Sequence, residues 1–243
     1  MNLNDEGIIL SKKCYGEHSF VLNIFTKEHG LISTLYRYAN KNKFIASIGN
    51  EVVANFKIKQ GHKLTFIKLE LQQALDIEFF DNSLLLNILL CSLNLVNETT
   101  PLYQPEPKIY MQIQDFIAKI KNSTSPLLEL NMLLLTYLSI SGYRLDYTEC
   151  AASGSKEELI YLSPKTGRAV SKQAGDPYQD KLFTMPQFLQ GDHSASSLVE
   201  MLKVNSFFIE KFLYRNRELT KPSIFKHYLQ QILNHFILIK HNM

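Results

Sequence analysis

Residues 7–37 read GIILSKKCYGEHSFVLNIFTKEHGLISTLYR, and the punctuation of this stretch decides the fold. Three β-leaning runs, GIILSKK, SFVLNIFT and GLISTLYR, are separated by the turn-formers YGEH and KEHG. Two further runs, EVVANFKI and KLTFIKLEL, with KQGH between them, carry the pattern to about residue 71. Five short strands in about 65 residues predict a small barrel. A five-stranded barrel of that size is most often an OB-fold, whose face and loops bind single-stranded nucleic acid or oligosaccharide.

After residue 80 the period changes to that of helices. DNSLLLNILLCSLNLVNE opens with the cap formers Asp81, Asn82 and Ser83, and PEPKIYMQIQDFIAKIK follows a Pro-containing turn. SPLLELNMLLLTYLSISG has Ser125 as cap, Pro126 in the first turn and Gly142 as stop. Ser197 and Glu200 read as a capping box for SLVEMLKVNSFFIEKFLYR, and PSIFKHYLQQILNHFILIK is the last helix. Residues 150–192, richer in Gly, Pro and Ser, read as a small insertion. The expected class is α+β: an N-terminal five-stranded OB-fold barrel over 1–80, a helical bundle over 81–149 and 193–243, and an inserted subdomain over 150–192.

A chain of 243 residues, 45% hydrophobic and 20% charged, has the composition of an ordinary globular protein. Cys14, Cys91 and Cys150 are far apart and match no metal or redox spacing, which suits a reducing cytoplasm. MNLNDEGII is no signal peptide, and the longest apolar stretches fall short of a membrane span, so a soluble cytoplasmic protein without membrane contact is expected. The net charge of +3 is small, but its distribution is uneven. Residues 1–68 hold ten Lys or Arg against five acids, residues 193–243 hold seven against three, and residues 81–149 hold four against seven. Such asymmetry points to basic faces on two parts of one molecule.

No enzyme is expected. The seven histidines form no metal-binding pair with Cys or a carboxylate, and the glycines match neither GxxxxGK[ST] nor GxGxxG. No serine stands in GxSxG, and SPKTGR around Lys165 is too short and wrongly ordered for a phosphate loop. The cations carry more. Lys12, Lys13, Arg37, Lys41, Lys43, Lys57, Lys59, Lys63 and Lys68 fall on or beside the expected barrel strands, and LISTLYRYANKNK (31–43) contains no acid. Cations that pair phosphates, interleaved with aromatics that stack bases, are what a single strand requires. Tyr15, Tyr36 and Tyr38 are the stacking candidates, although alternation turns every second strand side chain inward. Arg215, Arg217 and Lys221, after FFIEKFLY, are expected to extend such a nucleic-acid track, to bind an acidic partner, or to form a solvated helix end.

Several blocks together resemble the RecO family of recombination mediators: YGEHSFVLNIFTKEHGLISTLYRYANKNK, PLYQPEP before a helix, SGYRLDYTECAASG, and LIYLSPKTGRAVSKQAGDPYQDKL. Their order spans nearly the whole chain. The resemblance implies an N-terminal OB-fold, a helical domain and a small insertion that in some members is a four-cysteine zinc module. It also implies binding of single- and double-stranded DNA, strand annealing and, with RecR, loading of RecA onto DNA coated by single-stranded DNA-binding protein. This sequence departs from the family at three places. Tyr38 stands where glycine is usual; Leu130, Asn131, Met132 and Leu133 replace an Arg-Arg-Phe-Glu run; and Cys150 keeps the first zinc cysteine while Ser153 takes the second position and GRAVSKQAG supplies none. The insertion is therefore expected to be zinc-finger-like but zinc-free, with no cofactor. An RNA-binding OB protein would use the same cations, and a cytoplasmic hydrolase, the remaining alternative, would need a pocket with a perturbed titratable group.

Overall fold

The computed structural model describes residues 3–56, 66–214 and 223–241. In chain order the strands β1 (Leu3–Cys14), β2 (Ser19–Thr26), β3 (Gly30–Arg37), β4 (Glu51–Phe56) and β5 (Phe66–Gln73) precede helices α1 (Glu78–Asp81), α2 (Ser83–Thr99), α3 (Pro107–Ile120) and α4 (Pro126–Ile140). There follow β6 (Leu159–Leu162), β7 (Ala169–Ser171), α5 (Lys172–Gly175), β8 (Phe183–Thr184), α6 (Ala195–Ile209) and α7 (Ile224–His241), with a 3-10 helix at Asn40–Ala46 between β3 and β4. They divide into two compact units, Met1–Asn122 with Lys221–Met243, and Ser123–Thr220.

In the first unit β1–β5 close into a barrel in the order β1-β2-β3-β5-β4, the arrangement of an OB-fold. All pairings are antiparallel except β3 with β5, which are joined in parallel at Leu35↔Phe66 and Tyr36↔Ile67. Alternation fills the interior: Ile9, Phe20, Leu22, Ile24, Ile32, Tyr36, Val52, Ala54, Ile67 and Leu69 form one buried cluster. Beside the start of β3 the chain returns as Pro101–Gln104. Leu102 bridges Leu31, and the Tyr103 amide donates to the Leu31 carbonyl at 2.8 Å. Gly30 makes this approach possible. Its φ is +72°, and a Cβ there would lie 1.9 Å from the Gln104 carbonyl oxygen.

The helices cover part of the barrel's outside. Ile8 and Phe25, paired opposite each other and both fully buried, face outward, and the Phe25 ring lies 5.8 Å from Tyr110 of α3. Asn23 of β2 donates to the Asn97 side chain of α2 at 2.7 Å, and Gln114 of α3 donates to Glu51 of β4 at 3.1 Å. Helix α2 is apolar nearly all round because it packs on β1, α3 and α7 together. The expected cap holds: Asn82 accepts the Leu85 amide at 3.0 Å. Glu98, near the end of α2, caps α7 in turn, accepting the Ser223 hydroxyl at 2.7 Å and the Ile224 amide at 2.6 Å.

In the second unit α4 packs against α6. Asn131, fully buried on α4, donates to the carbonyls of Leu127 and Leu198, both at 3.0 Å. Asn205 of α6 donates to the Asn131 side-chain oxygen at 3.0 Å. The start of α6 differs from the expected Ser197–Glu200 capping box. Ser194 is the cap, accepting the Ser197 amide at 3.4 Å, and Asp192 fixes Ser194 through its amide (2.9 Å) and hydroxyl (2.8 Å). Starting one turn earlier lets Leu198 and Met201 enter the core, with Ser197 buried inside the first turn. The same unit holds the three-stranded sheet β7-β6-β8.

Candidate nucleic-acid interface

Strand register sorts the basic residues of the barrel into two groups. Lys13 pairs with Val21, which pairs with Leu35; one step along, Ser19 pairs with Arg37, and the Tyr15 amide donates to the Ser19 carbonyl at 2.9 Å. Partners across a ladder share a face. Two rows therefore cross the outer face: Lys13–Val21–Leu35, and Tyr15–Ser19–Arg37. Among the described residues of the first unit Lys13, Tyr15 and Arg37 are exposed, and Val21, Leu35 and Ser19 are half-buried. Lys68 follows Ile67 on β5 as Arg37 follows Tyr36 on β3, so it prolongs the second row. At about 4.8 Å per strand, Tyr15 and Arg37 stand roughly 10 Å apart, with the small Ser19 between them. The strand positions in these rows carry no carboxylate.

The second group lines the barrel's mouth. Lys12 pairs with the inward Leu22, and its ammonium lies 5.2 Å from the centroid of Phe20. Tyr38 stacks on Phe20 at 4.5 Å, and its hydroxyl donates to the Glu17 carbonyl at 3.1 Å. Tyr36 is 4% exposed and belongs to the barrel core, so it presents no ring for a base. Burial pushes its phenol above the usual range. Tyr38 is half-buried and already uses one face on Phe20. Of the three tyrosines, Tyr15, 60% exposed, has its ring in solvent.

Lys41 and Lys43 lie on the 3-10 helix Asn40–Ala46 rather than on an irregular loop, and both are exposed. That helix also brings out Phe44, 56% exposed, which strand alternation could not have identified because the period breaks after Arg37. The adjacency of Phe44 to Lys43 in NKNKFIA is its signal in the sequence. Lys57, Lys59, Lys63, Arg215, Arg217 and Lys221 lie outside the described residues.

In the second unit, the residues around Cys150 do not fit a zinc ion. Its sulfur accepts the Ser171 amide at 3.2 Å, and serines stand at 153 and 171. Burial alone would raise this thiol, but hydrogen bonds from the Ser153 and Ser171 hydroxyls and amides outweigh it and pull it down to about 6. Among the described residues no group of three or more His, Cys, Asp or Glu is placed to hold a metal. Protein contacts tie the segment together instead. Ala151 donates to the Ala169 carbonyl at 2.8 Å, Ala169 to the Asp146 carbonyl at 2.7 Å, and Arg168 bridges Asp146 (3.4 Å) and Glu149 (3.3 Å).

Among the described residues no helix is long and apolar enough to cross a membrane. Residues 1–74 match the family model "Recombination protein O N terminal" and residues 86–219 match "Recombination protein O C terminal". A protein of Wolbachia sp. subsp. Drosophila simulans (strain wRi) named DNA repair protein RecO is 35% identical over 236 residues, covering 92% of this chain and 97% of the relative. One of the same name from Rickettsia peacockii (strain Rustic) is 29% identical over 240 residues, covering 97% of this chain and all of the relative. With the barrel order, the motif blocks and both halves of the chain in agreement, this protein belongs to the RecO family of DNA repair proteins.

Proposed function

We propose that this protein binds and anneals DNA strands and, with RecR, helps load RecA onto single-stranded DNA coated by single-stranded DNA-binding protein. It does so in the cytoplasm, at the nucleoid, without covalent catalysis. The observation that carries this reading is the open outer face, where Lys13, Tyr15 and Arg37 fall in adjacent cross-strand rows. Phosphates pair with the cations and an unpaired base stacks on Tyr15. Lys41 and Lys43 extend the track past the end of β3. A duplex engages the same cations through its phosphates alone.

The helical part of the chain is proposed to serve partner contacts, and the second unit, Ser123–Thr220, offers a place for one. A cavity of about 470 Å³ there is lined by Met132, Leu135, Leu145 and Phe188, with Arg144 and His193 at its polar side. An apolar pocket beside a guanidinium suits an acidic peptide with an apolar end, which is the class of partner contact the pocket can serve.

Titration of labelled single-stranded DNA and RNA at two salt concentrations tests the reading. DNA should bind with a marked salt dependence, and the triple variant Arg37→Ala, Lys41→Ala, Lys43→Ala should flatten the slope of log K against log salt by up to about 2. A folded triple variant with wild-type affinity and slope would refute the assignment. Preference for RNA over DNA of the same sequence would instead make the protein an RNA binder.

A further inference from the structure

The 3-10 helix Asn40–Ala46 is anchored on one side and open on the other. Beneath it, Ala46 is fully buried and Ile45 packs on the barrel core. Asn50, 3% exposed, donates its side-chain amide to the carbonyls of Phe44 (3.0 Å) and Ile45 (3.2 Å) and accepts the Leu75 amide at 2.9 Å. The Ser47 amide also reaches the Phe44 carbonyl at 3.1 Å, and the Tyr36 hydroxyl donates to the Asn42 carbonyl at 3.3 Å. The Phe44 carbonyl thus accepts two donors, and a third bond holds the same helix at Asn42. Its ring is 56% exposed.

In a 3-10 helix the side chains at i and i+3 eclipse, so Lys41 lies directly over Phe44 on the same edge, with Lys43 a third of a turn away. The helix contains no acid to neutralise either lysine. A fixed apolar ring in water, flanked by two cations, is complementary to a flat group carrying an adjacent anion. A nucleotide with an unpaired base is such a group, whereas a duplex keeps its base faces stacked inside.

We infer that Phe44 is a base-stacking platform at the end of the barrel, receiving one unpaired base of a single-stranded DNA whose flanking phosphates pair with Lys41 and Lys43. This rests on the DNA-binding reading given above and adds to it a residue and a strand state: the platform discriminates single from double strands. Because the helix is already ordered, little conformational freedom is lost when the base docks.

The chain contains no tryptophan, so Phe44→Trp places a single reporter at the platform. Adding an oligodeoxythymidylate should quench its fluorescence, and an abasic oligomer of equal length should not. Phe44→Ala should weaken oligodeoxythymidylate binding roughly 5- to 150-fold, the range for one lost stacked base, while leaving the salt slope and the affinity for the abasic oligomer unchanged. If the wild-type protein binds the oligomer but the tryptophan is not quenched and Phe44→Ala keeps full affinity, the platform is refuted and the DNA-binding reading stands. If the wild-type protein binds no single strand, the DNA-binding reading itself fails.

Discussion

Gly30 and Gly16 separate two costs that a glycine substitution usually mixes. Both sit in tight turns with nearly equal left-handed φ, +72° and +68°. A Cβ at Gly16 meets nothing within 4 Å, whereas at Gly30 it would lie 1.9 Å from the Gln104 oxygen and 2.4 Å from its carbonyl carbon. Gly16→Ala therefore carries only the left-handed penalty, about 1 kcal/mol. Gly30→Ala carries the same penalty and must also push back the Pro101–Gln104 segment. That displacement strains or breaks the Tyr103 amide bond to the Leu31 carbonyl, leaving a buried carbonyl short of a partner at about 1–3 kcal/mol. The expected totals are about 1 kcal/mol for Gly16→Ala and roughly 2–4 kcal/mol for Gly30→Ala. At about 2–4 °C per kcal/mol for a chain of this size, Gly16→Ala should lower Tm by about 3 °C and Gly30→Ala by about 10 °C. Scanning calorimetry on both variants reads the difference. If Gly30→Ala proves no more costly than Gly16→Ala, the close approach of residue 104 is not what requires glycine, and the argument for the segment's position is wrong.

Three other expectations concern separate parts of the molecule. Replacing Asn131 by Leu should destabilise the second unit by about 2–4 kcal/mol in denaturant titration, because the buried Asn205 amide keeps only the long 3.4 Å contact to the backbone carbonyl of residue 131 and the Leu198 carbonyl loses its side-chain donor, while the double change to leucine at 131 and 205 should recover much of that loss. Glu98→Gln should cost about 1 kcal/mol of stability by removing the charge that caps α7, and hydrogen exchange at the Ile224 amide should quicken. Cys150 binds its proton more weakly when folded than when unfolded, so the unfolded state holds more protons above pH 6 and this thiol adds stability as pH rises. The contribution should be fully present above about pH 9 and vanish as pH falls through about 6; Cys150→Ser should flatten that part of the stability curve, and chelator should leave the wild-type curve unchanged.

Much of the barrel could be read from the sequence because turn-formers bracket each strand: β2 and β3 begin and end where SFVLNIFT and GLISTLYR do. β1 begins earlier, at Leu3, since Asn4, Asp5 and Glu6 disguise it as a polar leader. Asp5 is in fact buried, its carboxylate accepting the Glu28 and His29 amides in the next turn. The site was harder to read. Lys12 and Lys13 are equivalent by composition, and the irregularity between Ile9 and Ser11 decides which of them faces the mouth and which the outer face. Tyr36 and Tyr38 share a phase with inward Phe20, a fact set by register rather than residue type. Ser194 displaced Ser197 as a cap because Asp192, two residues before it, holds its amide and hydroxyl in an Asx-turn, a local signal that the Ser197–Glu200 spacing overshadowed.

The pairing of α2 with α7 also bears on synthesis. Glu98 and the Ile224 amide that it caps are 126 positions apart, so on the ribosome α2 emerges long before the helix that covers it. Throughout that interval the side of α2 meant for α7 stays open to water and to other nascent chains, while Ser123–Thr220 emerges as a self-contained unit. The barrel can close early, since its five strands lie within the first 73 residues. Its helical cover is completed last, which makes arrival of α7 the step that ends the window for misassembly.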